Sequence, residues 1–278
     1  MGRLGFIAAL LLPLVARAAS PAIGYAQSTG HYLKDTKPAR YQPLNLLDGR
    51  DSTAWCTPTS DPLTEKLTFG FKGHVTIDEV HIYTGNGESD DSFKTFSKAK
   101  KLSLHSGGGG GAVTMNVADQ RGLQPVPLRP PVTGAQFTLE ILDQFPAEDP
   151  DSPVCITDIV FYSDGRALNG TWLAGKLKHD KQRAQILGTW FAGYEGAPEH
   201  FLSFHFDKTY SLVYEPVDPG KKGRSLGGEY TVNGTRVTLT LPGKKRISGR
   251  LKAEGGGRTL HFDGATLPDF KAPFRDRK

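Results

Sequence analysis

Runs in which apolar and polar residues alternate recur along this chain, and they constrain its fold more than any other feature. Lys66–Phe71 and Gln136–Ile141 show the alternation in the first part, and Phe201–Phe206 and Arg236–Leu241 show it in the second. A period of two residues is typical of β-strands that bury one face. The 278 residues include 33 Gly and 19 Pro, too many for a helical bundle. The sequence therefore predicts an all-β protein.

In the second part, the strand-like runs follow one another with short turns between them. Asn233-Gly234 is a strong hairpin signal. Sequential strands of this kind suit a meander, and closing the meander into a small antiparallel β-barrel removes the exposed sheet edges. Gly188-Thr189-Trp190 is similar to the opening of lipocalin-like barrels, over about residues 186–265. Such a barrel is either filled by its own side chains or holds a small apolar ligand.

The first residues have the pattern of a leader rather than of a folded segment. Arg3 precedes an apolar run, Leu4–Val15, and Ala16-Arg17-Ala18 then places small residues where signal peptidase reads them. This pattern predicts a signal peptide over residues 1–18, and a buried N-terminal helix is the alternative. The run is too short to span a membrane. We therefore expect a secreted or periplasmic protein that does not span the membrane.

The distribution of charge divides the remaining chain into two units. Residues 19–170 carry a net charge of −5 and residues 171–278 carry +8, although the whole chain carries only +5. We predict a β-sandwich at 19–169, a linker with a short helix at 170–186, and the barrel at 187–278. Basic clusters in the barrel could bind an anionic polymer or simply be solvated. Export argues against nucleic acid as a partner.

Two further features depend on the expected export. Cys56 and Cys155 are the only cysteines, and in an oxidising compartment such a pair is predicted to form a disulfide, with two free buried thiols as the alternative. Asp48 and Asp51 flank a tight Gly-containing turn. Hard oxygen ligands at this spacing suit a calcium ion, and turn capping by the same residues is the other interpretation.

Several of these motifs together resemble one family. Asn45–Gly49, Thr53–Cys56, Leu67–Phe69 and Val154–Ile159 are similar to the NADase-type glycan-binding domain, a discoidin-like, galactose-binding-like domain of secreted bacterial proteins. The resemblance covers about residues 25–165. It implies an eight-stranded jelly-roll β-sandwich that binds carbohydrate through loops at one rim.

The resemblance also implies a structural calcium ion. Matched residue by residue, Asp48, Asp51 and Thr53 fall on the calcium loop of the family. Asp158 falls on the last strand, where relatives usually carry Glu. The shorter side chain of Asp158 is a departure from the family pattern.

A glycan site needs an aromatic surface beside fixed polar groups, because sugars have apolar CH faces as well as hydroxyls. The candidates are an aromatic and polar set on one long loop and two residues on an earlier loop. Glu88 stands where relatives carry an aromatic residue, and a solvated acidic loop is the alternative. The candidate glycan-binding residues are Tyr83, Asn86, Lys94, Phe96, His31 and Tyr32.

The sequence offers little support for catalysis. Ser203, His205 and Asp207 alternate along one strand, so their side chains are expected roughly 7 Å apart, beyond the contact distance of a catalytic triad. We therefore predict a secreted, non-catalytic carbohydrate-binding protein. The alternatives are a hydrolase with its site between the two units and a structural envelope protein.

Overall fold

A computed structural model gives the fold for most of the chain. The predicted signal peptide lies outside the described residues, as does most of the predicted linker. Among the described residues, no helix is both long enough and apolar enough to cross a membrane. The structure describes residues 23–37, 39–107, 111–169, 173, 177, 183–193, 198–218, 220–254, 257–262 and 270–276.

The first part of the chain forms an eight-stranded sheet with one short helix, α1 (Asp90–Thr95). Short 3₁₀ helices at Pro43–Leu47 and Pro62–Thr64 connect its early strands. The strands are β1 (Ile23–Ser28), β2 (Trp55–Cys56), β3 (Lys66–Thr84), β4 (Ser97–Ser106), β5 (Val113–Asn116), β6 (Gln124–Phe145), β7 (Val154–Ser163) and β8 (Arg166–Ala167).

The long strands β3 and β6 fold this sheet into a sandwich. The hydrogen-bonded order is β1-β3-β6-β4-β7-β2, with β5 paired to β4 and β8 to β7. The first half of β3 pairs with β1, and its end pairs with β7. Register shifts between Gly70 and Val75 and between Ile77 and Glu79 interrupt its ladder with β6. Such irregularities bend a strand, which lets it pass from one layer to the other. The predicted β-sandwich is confirmed.

Alternation along the strands fills the space between the layers. Leu67 and Phe69 on β3 are buried, whereas Lys66 is exposed and Thr68 is partly exposed. The ring centroids of Phe69 and Phe161 lie 4.9 Å apart at an interplanar angle of 67°. Edge-to-face pairs of this kind add to the free energy gained by burying the rings.

The second part of the chain is a closed antiparallel barrel. Each strand pairs with the next, and the last pairs with the first, so the predicted barrel is confirmed. Asn233 and Gly234 lie at a hairpin turn of the barrel, with φ of 57° at Gly234. The strands are β9 (Gly188–Ala192), β10 (Glu199–Phe204), β11 (Thr209–Glu215), β12 (Arg224–Asn233), β13 (Arg236–Thr240), β14 (Arg246–Glu254), β15 (Gly257–Phe262) and β16 (Phe274–Asp276).

Trp190 anchors one end of the barrel. Its side chain is fully buried, and its Nε1 donates a hydrogen bond of 2.8 Å to the carbonyl of Ile186. The guanidinium of Arg258 lies 5.6 Å from the centre of the indole ring. Burying the indole with its N–H paired avoids the cost of an unsatisfied donor.

The sandwich and the barrel pack together along β1. The hydroxyl of Tyr25 bonds to Thr189 Oγ1 at 2.8 Å, and Thr189 bonds to Ser203 Oγ at 2.9 Å. The backbone N–H of Phe206 donates to the carbonyl of Gly24 at 2.8 Å. A Cβ at Gly24 would lie 2.3 Å from the ring of His205, so this close approach requires glycine. The two units therefore share one continuous core.

The buried ring of His205 makes this junction sensitive to pH. Burial, together with the nearby positive charge of Lys72, lowers the pKa of His205 to about 4, while Asp207 acts in the opposite direction. Its Nε2 lies 3.3 Å from Ser211 Oγ, and its Nδ1 has no hydrogen-bond partner. In the unfolded chain a histidine titrates near 6.5. The folded state therefore binds the proton less well than the unfolded state.

We predict that this histidine destabilises the protein in acid. The contribution of neutral His205 to the free energy of unfolding is fully present above about pH 6.5. It is lost as the pH falls through about 4, and the loss reaches at most about 3 kcal/mol. Urea unfolding at pH 7.5 and pH 4.5 measures the effect. His205→Gln should lose less stability between these two pH values than the unmodified protein. His74→Gln, at an exposed position, is the control and should behave like the unmodified protein. An equal loss of stability in His205→Gln and His74→Gln would contradict the prediction.

Candidate functional site

A disulfide holds one rim of the sandwich together. Cys56 and Cys155 are bonded, as predicted, and they pair across β2 and β7. The backbone N–H of Tyr32 donates to the carbonyl of Cys56 at 2.9 Å, which ties the 31–37 segment to β2. Tyr41 and Ala54 are buried against the disulfide. The crosslink thus fixes the loops on which the candidate site residues lie.

Three aromatic side chains meet at this rim, and we call them the aromatic cluster: Tyr32, Tyr41 and Phe96. Their ring centroids are 5.4 Å apart for Tyr32 and Tyr41, 6.2 Å for Tyr32 and Phe96, and 6.0 Å for Tyr41 and Phe96. Tyr41 is buried, whereas Tyr32 and Phe96 are partly exposed. Burial raises the pKa of Tyr41, an effect that nearby Arg40 opposes. The cluster therefore presents partly exposed rings on a fixed base.

Charged groups border the aromatic cluster. The guanidinium of Arg40 lies 5.3 Å from the centre of the Tyr41 ring and 3.5 Å from a carboxylate oxygen of Glu88. Both side chains of this ion pair are about half exposed. Lys94 is exposed on α1, two residues before Phe96. Hydrogen-bonding groups of both signs thus lie beside the exposed rings.

Arg121 supports the loop between β3 and α1. Its Nε donates to the hydroxyl of Tyr83 at 3.1 Å, and a terminal nitrogen donates to the carbonyl of Gly87 at 2.9 Å. It also forms an ion pair with Asp90. From the opposite side, the N–H of Gly87 donates to Thr157 Oγ1 at 2.7 Å. The loop is therefore held by side chains that are distant in sequence.

The structure brings together only some of the predicted glycan-binding residues. Tyr32 and Phe96 meet in the aromatic cluster. Tyr83 and Asn86 are almost completely buried, and Asn86 Oδ1 accepts a hydrogen bond from the N–H of Glu88 at 3.1 Å. His31 lines a cavity between the sandwich and the barrel.

Three residues at the rim were missed by sequence reasoning. Tyr41 completes the aromatic cluster, and its position at the start of the Asp48 motif was a usable signal. Arg40 and Arg121 gave no such signal. Their role depends on contacts with residues distant in the chain, such as Glu88 for Arg40 and Asp90 for Arg121.

The predicted calcium loop lies next to the loop that contains Gly87. Thr53 Oγ1 lies 2.8 and 2.9 Å from the two carboxylate oxygens of Asp48. A Cβ at Gly87 would lie 2.9 Å from the carbonyl oxygen of Asp51. Burial and, to a smaller extent, the negative charges of Asp48 and Asp51 raise the pKa of Asp158 to about 7, against a hydrogen bond from the N–H of Ile159. The carboxylates of Asp48 and Asp51 therefore lie close enough to that of Asp158 to disfavour its ionisation.

The side chains of these three residues are not arranged as the coordination shell of a metal ion. Within the described part of the chain, no group of three or more His, Cys, Asp or Glu side chains is placed to hold a metal ion. The type of donor nevertheless fits calcium, because every candidate ligand is a hard oxygen and a divalent cation would offset the repulsion.

Ser203, His205 and Asp207 each have separate partners. Ser203 bonds to Thr189 and His205 to Ser211, while Asp207 accepts hydrogen bonds from Thr209 and pairs with Lys72. These partners place the three side chains in the junction between β1 and the barrel.

The fold and the rim define a discoidin-like β-sandwich. Residues 23–162 match the family described as the NAD glycohydrolase translocation F5/8 type C domain, and this chain belongs to that family. No curated protein matches the chain.

Solved structures of carbohydrate-binding modules are similar to about half of the chain. The CBM32-1 and CBM32-2 domains of Clostridium perfringens ZmpB, in complex with GalNAc, are 16% identical over 51% of this chain and 33% of that chain, with a TM-score of 0.39. The family 32 module of C. perfringens NanJ, in complex with galactose, is 14% identical over 50% of this chain and 93% of that chain, with a TM-score of 0.37. This chain thus spans about a third of the ZmpB structure.

We predict that Arg121 limits the mobility of the rim loop. Replacing it by Met removes its hydrogen bonds to Tyr83 and Gly87, so amide hydrogen exchange over residues 87–93 should become about tenfold faster. Mass spectrometry of the exchanged protein measures this rate. Arg129→Met, at an exposed position elsewhere, should leave it unchanged. Unaltered exchange in Arg121→Met would show that the loop is held by other contacts.

Proposed function

We propose that this protein binds glycans at the disulfide-linked rim of its sandwich, without catalysing a reaction on them. One observation carries the proposal: two partly exposed rings, Tyr32 and Phe96, lie 6.2 Å apart on a buried base beside charged side chains. The CH face of a sugar ring packs on aromatic carbon, and its hydroxyls need fixed hydrogen-bonding partners. The rim offers both.

The charged residues would give such a site its selectivity. Glu88 accepts hydrogen bonds, whereas Arg40 and Lys94 donate them, and all three lie at or near the rim. Paired donors and acceptors suit the adjacent hydroxyls of a neutral sugar. The sequence resemblance to glycan-binding domains, together with membership of the family, supports this use of the rim.

We also propose that the protein acts outside the cytoplasm. The disulfide between Cys56 and Cys155 supports this location, because such bonds persist mainly in oxidising compartments. The proposal that it is not an enzyme rests on Ser203, His205 and Asp207, each of which bonds to a different partner.

Loss of either exposed ring should weaken glycan binding. In Tyr32→Ala and Phe96→Ala, we expect affinity for the glycans that the unmodified protein binds on an array to fall about tenfold each, because stacking contacts are lost. Lys94→Ala should reduce binding less. Isothermal titration with the best array glycan measures the change.

Tyr162→Ala is the matched control. Tyr162 is also partly exposed, with its ring centroid 4.3 Å from that of His81, but it lies at the opposite end of β7 from Cys155. This variant should bind normally. If the Tyr32 and Phe96 variants kept full affinity, or if no array glycan bound the unmodified protein, the proposal would be wrong.

We further propose that calcium stabilises the rim. Asp48, Asp51, Thr53 and Asp158 are the residues that would hold the ion, and the proposal is motivated by the buried carboxylate of Asp158, which lies near the negative charges of Asp48 and Asp51. The ion would supply positive charge where carboxylates from two segments meet. In this role calcium is structural, and sugar recognition remains with the side chains at the rim.

Calcium should therefore raise the melting temperature. At about 100 times its Kd, a bound ion adds about 2.7 kcal/mol, which corresponds to a rise of roughly 5–10 °C over the protein in chelator. Asp48→Asn and Asp158→Asn should lose this rise, and Asp151→Asn, on an exposed turn, should keep it. An identical melting curve in calcium and in chelator would refute the proposal.

A further inference from the structure

A second concave site lies away from the rim, between the sandwich and the barrel. It is a cavity of about 380 Å³, within the size range of small-molecule sites. The sandwich contributes the end of β1 and residues from the 31–35 and 39–44 segments. The barrel side contributes residues 184–187, Arg258 and Asp276. Neither unit would form the cavity alone.

The inner wall of the cavity combines apolar carbon with an unused hydrogen-bond donor. Leu44 and Leu187 are buried and form part of its apolar surface. Gln42, also in the wall, is only 3% exposed, and its Nε2 has no hydrogen-bond partner. A buried donor without a partner costs free energy, and a ligand acceptor would recover that cost.

The charges of the wall cancel. Arg258 forms an ion pair with Asp276, which also accepts a hydrogen bond from Gln27 Nε2 at 2.9 Å. Lys34 and Asp35, which also line the cavity, again carry one charge of each sign. An ionic ligand would leave its own charge without compensation in this wall. The cavity therefore suits a neutral ligand with several hydrogen-bonding groups.

We propose that this cavity binds a neutral sugar of one or two rings, whose hydroxyl or carbonyl oxygen accepts a hydrogen bond from Gln42. Amide and charged side chains along the wall suit adjacent hydroxyls, and the leucines suit the CH face. The site does not depend on the proposed glycan binding at the rim. Tyr32 and Tyr41 belong to the rim, whereas His31 and Gln42, their neighbours in sequence, line the cavity.

The test uses the full disulfide-bonded protein carrying Tyr32→Ala and Phe96→Ala. These two changes remove the rings on which the proposed glycan binding at the rim depends, and we call this variant the rim-silenced protein. Saturation-transfer NMR and isothermal titration are run with galactose, N-acetylgalactosamine, mannose and lactose. Glucuronate and glucosamine serve as the charged probes. At least one neutral sugar should bind this background protein, and it should bind more tightly than either charged probe.

Two variants then locate the binding. Ala184→Trp fills the cavity and Gln42→Met removes the donor while keeping the side-chain length, so each should weaken binding at least about tenfold. Gln120→Met, on an exposed loop, is the control and should bind normally. Melting curves confirm that each variant is folded, and Gln42→Met remains informative if Ala184→Trp unfolds.

Three results would overturn the inference. These are the absence of binding by every neutral sugar to the rim-silenced protein, unchanged affinity in a folded Gln42→Met variant, and tighter binding of a charged probe than of any neutral one. Failure of the rim proposal would look different, because the Tyr32 and Phe96 changes would then leave array binding intact.

Discussion

The crosslink between Cys56 and Cys155 is the constraint on which the candidate site depends. Strand β2 has only two residues, so its ladder with β7 is too short to hold the rim in place. The disulfide closes a sequence separation of 99 residues, and in the chain-entropy model such a closure stabilises a fold by roughly 4–5 kcal/mol. The Tyr32 backbone and the Tyr41 ring both rest on it. Covalent bonding thus replaces the hydrogen bonds that a longer strand would supply.

The ion pair at the junction of the two units runs against the net charges of the two halves of the chain. The sandwich half is acidic and the barrel half is basic. At their contact, however, Lys72 comes from the acidic half and Asp207 from the basic half. The junction is therefore matched locally, by individual pairs within a shared apolar core, rather than by attraction between two oppositely charged surfaces.

Features set by local sequence were predictable, and features set by distant contacts were not. Alternation predicted the strands, and the Asn233-Gly234 pair predicted its hairpin. The run at 66–71 gave no sign that its strand continues to Thr84, because the bends of β3 accompany its pairing with β6, which is distant in sequence. At the rim, Phe96 and Tyr32 could be nominated by residue type. Tyr83 is buried, and its hydroxyl accepts a hydrogen bond from Arg121, 38 positions away, a contact that no local pattern reveals.

The pairing of Tyr25, Thr189 and Ser203 hydroxyls across the junction has a consequence for the ancestry and engineering of this protein. A sandwich excised on its own would expose the buried face of β1 and leave the Gly24 carbonyl without its donor from Phe206. The barrel therefore completes the packing of this sandwich and is not an independent appended domain. Recombination or transplantation that preserves the fold has to move both units together.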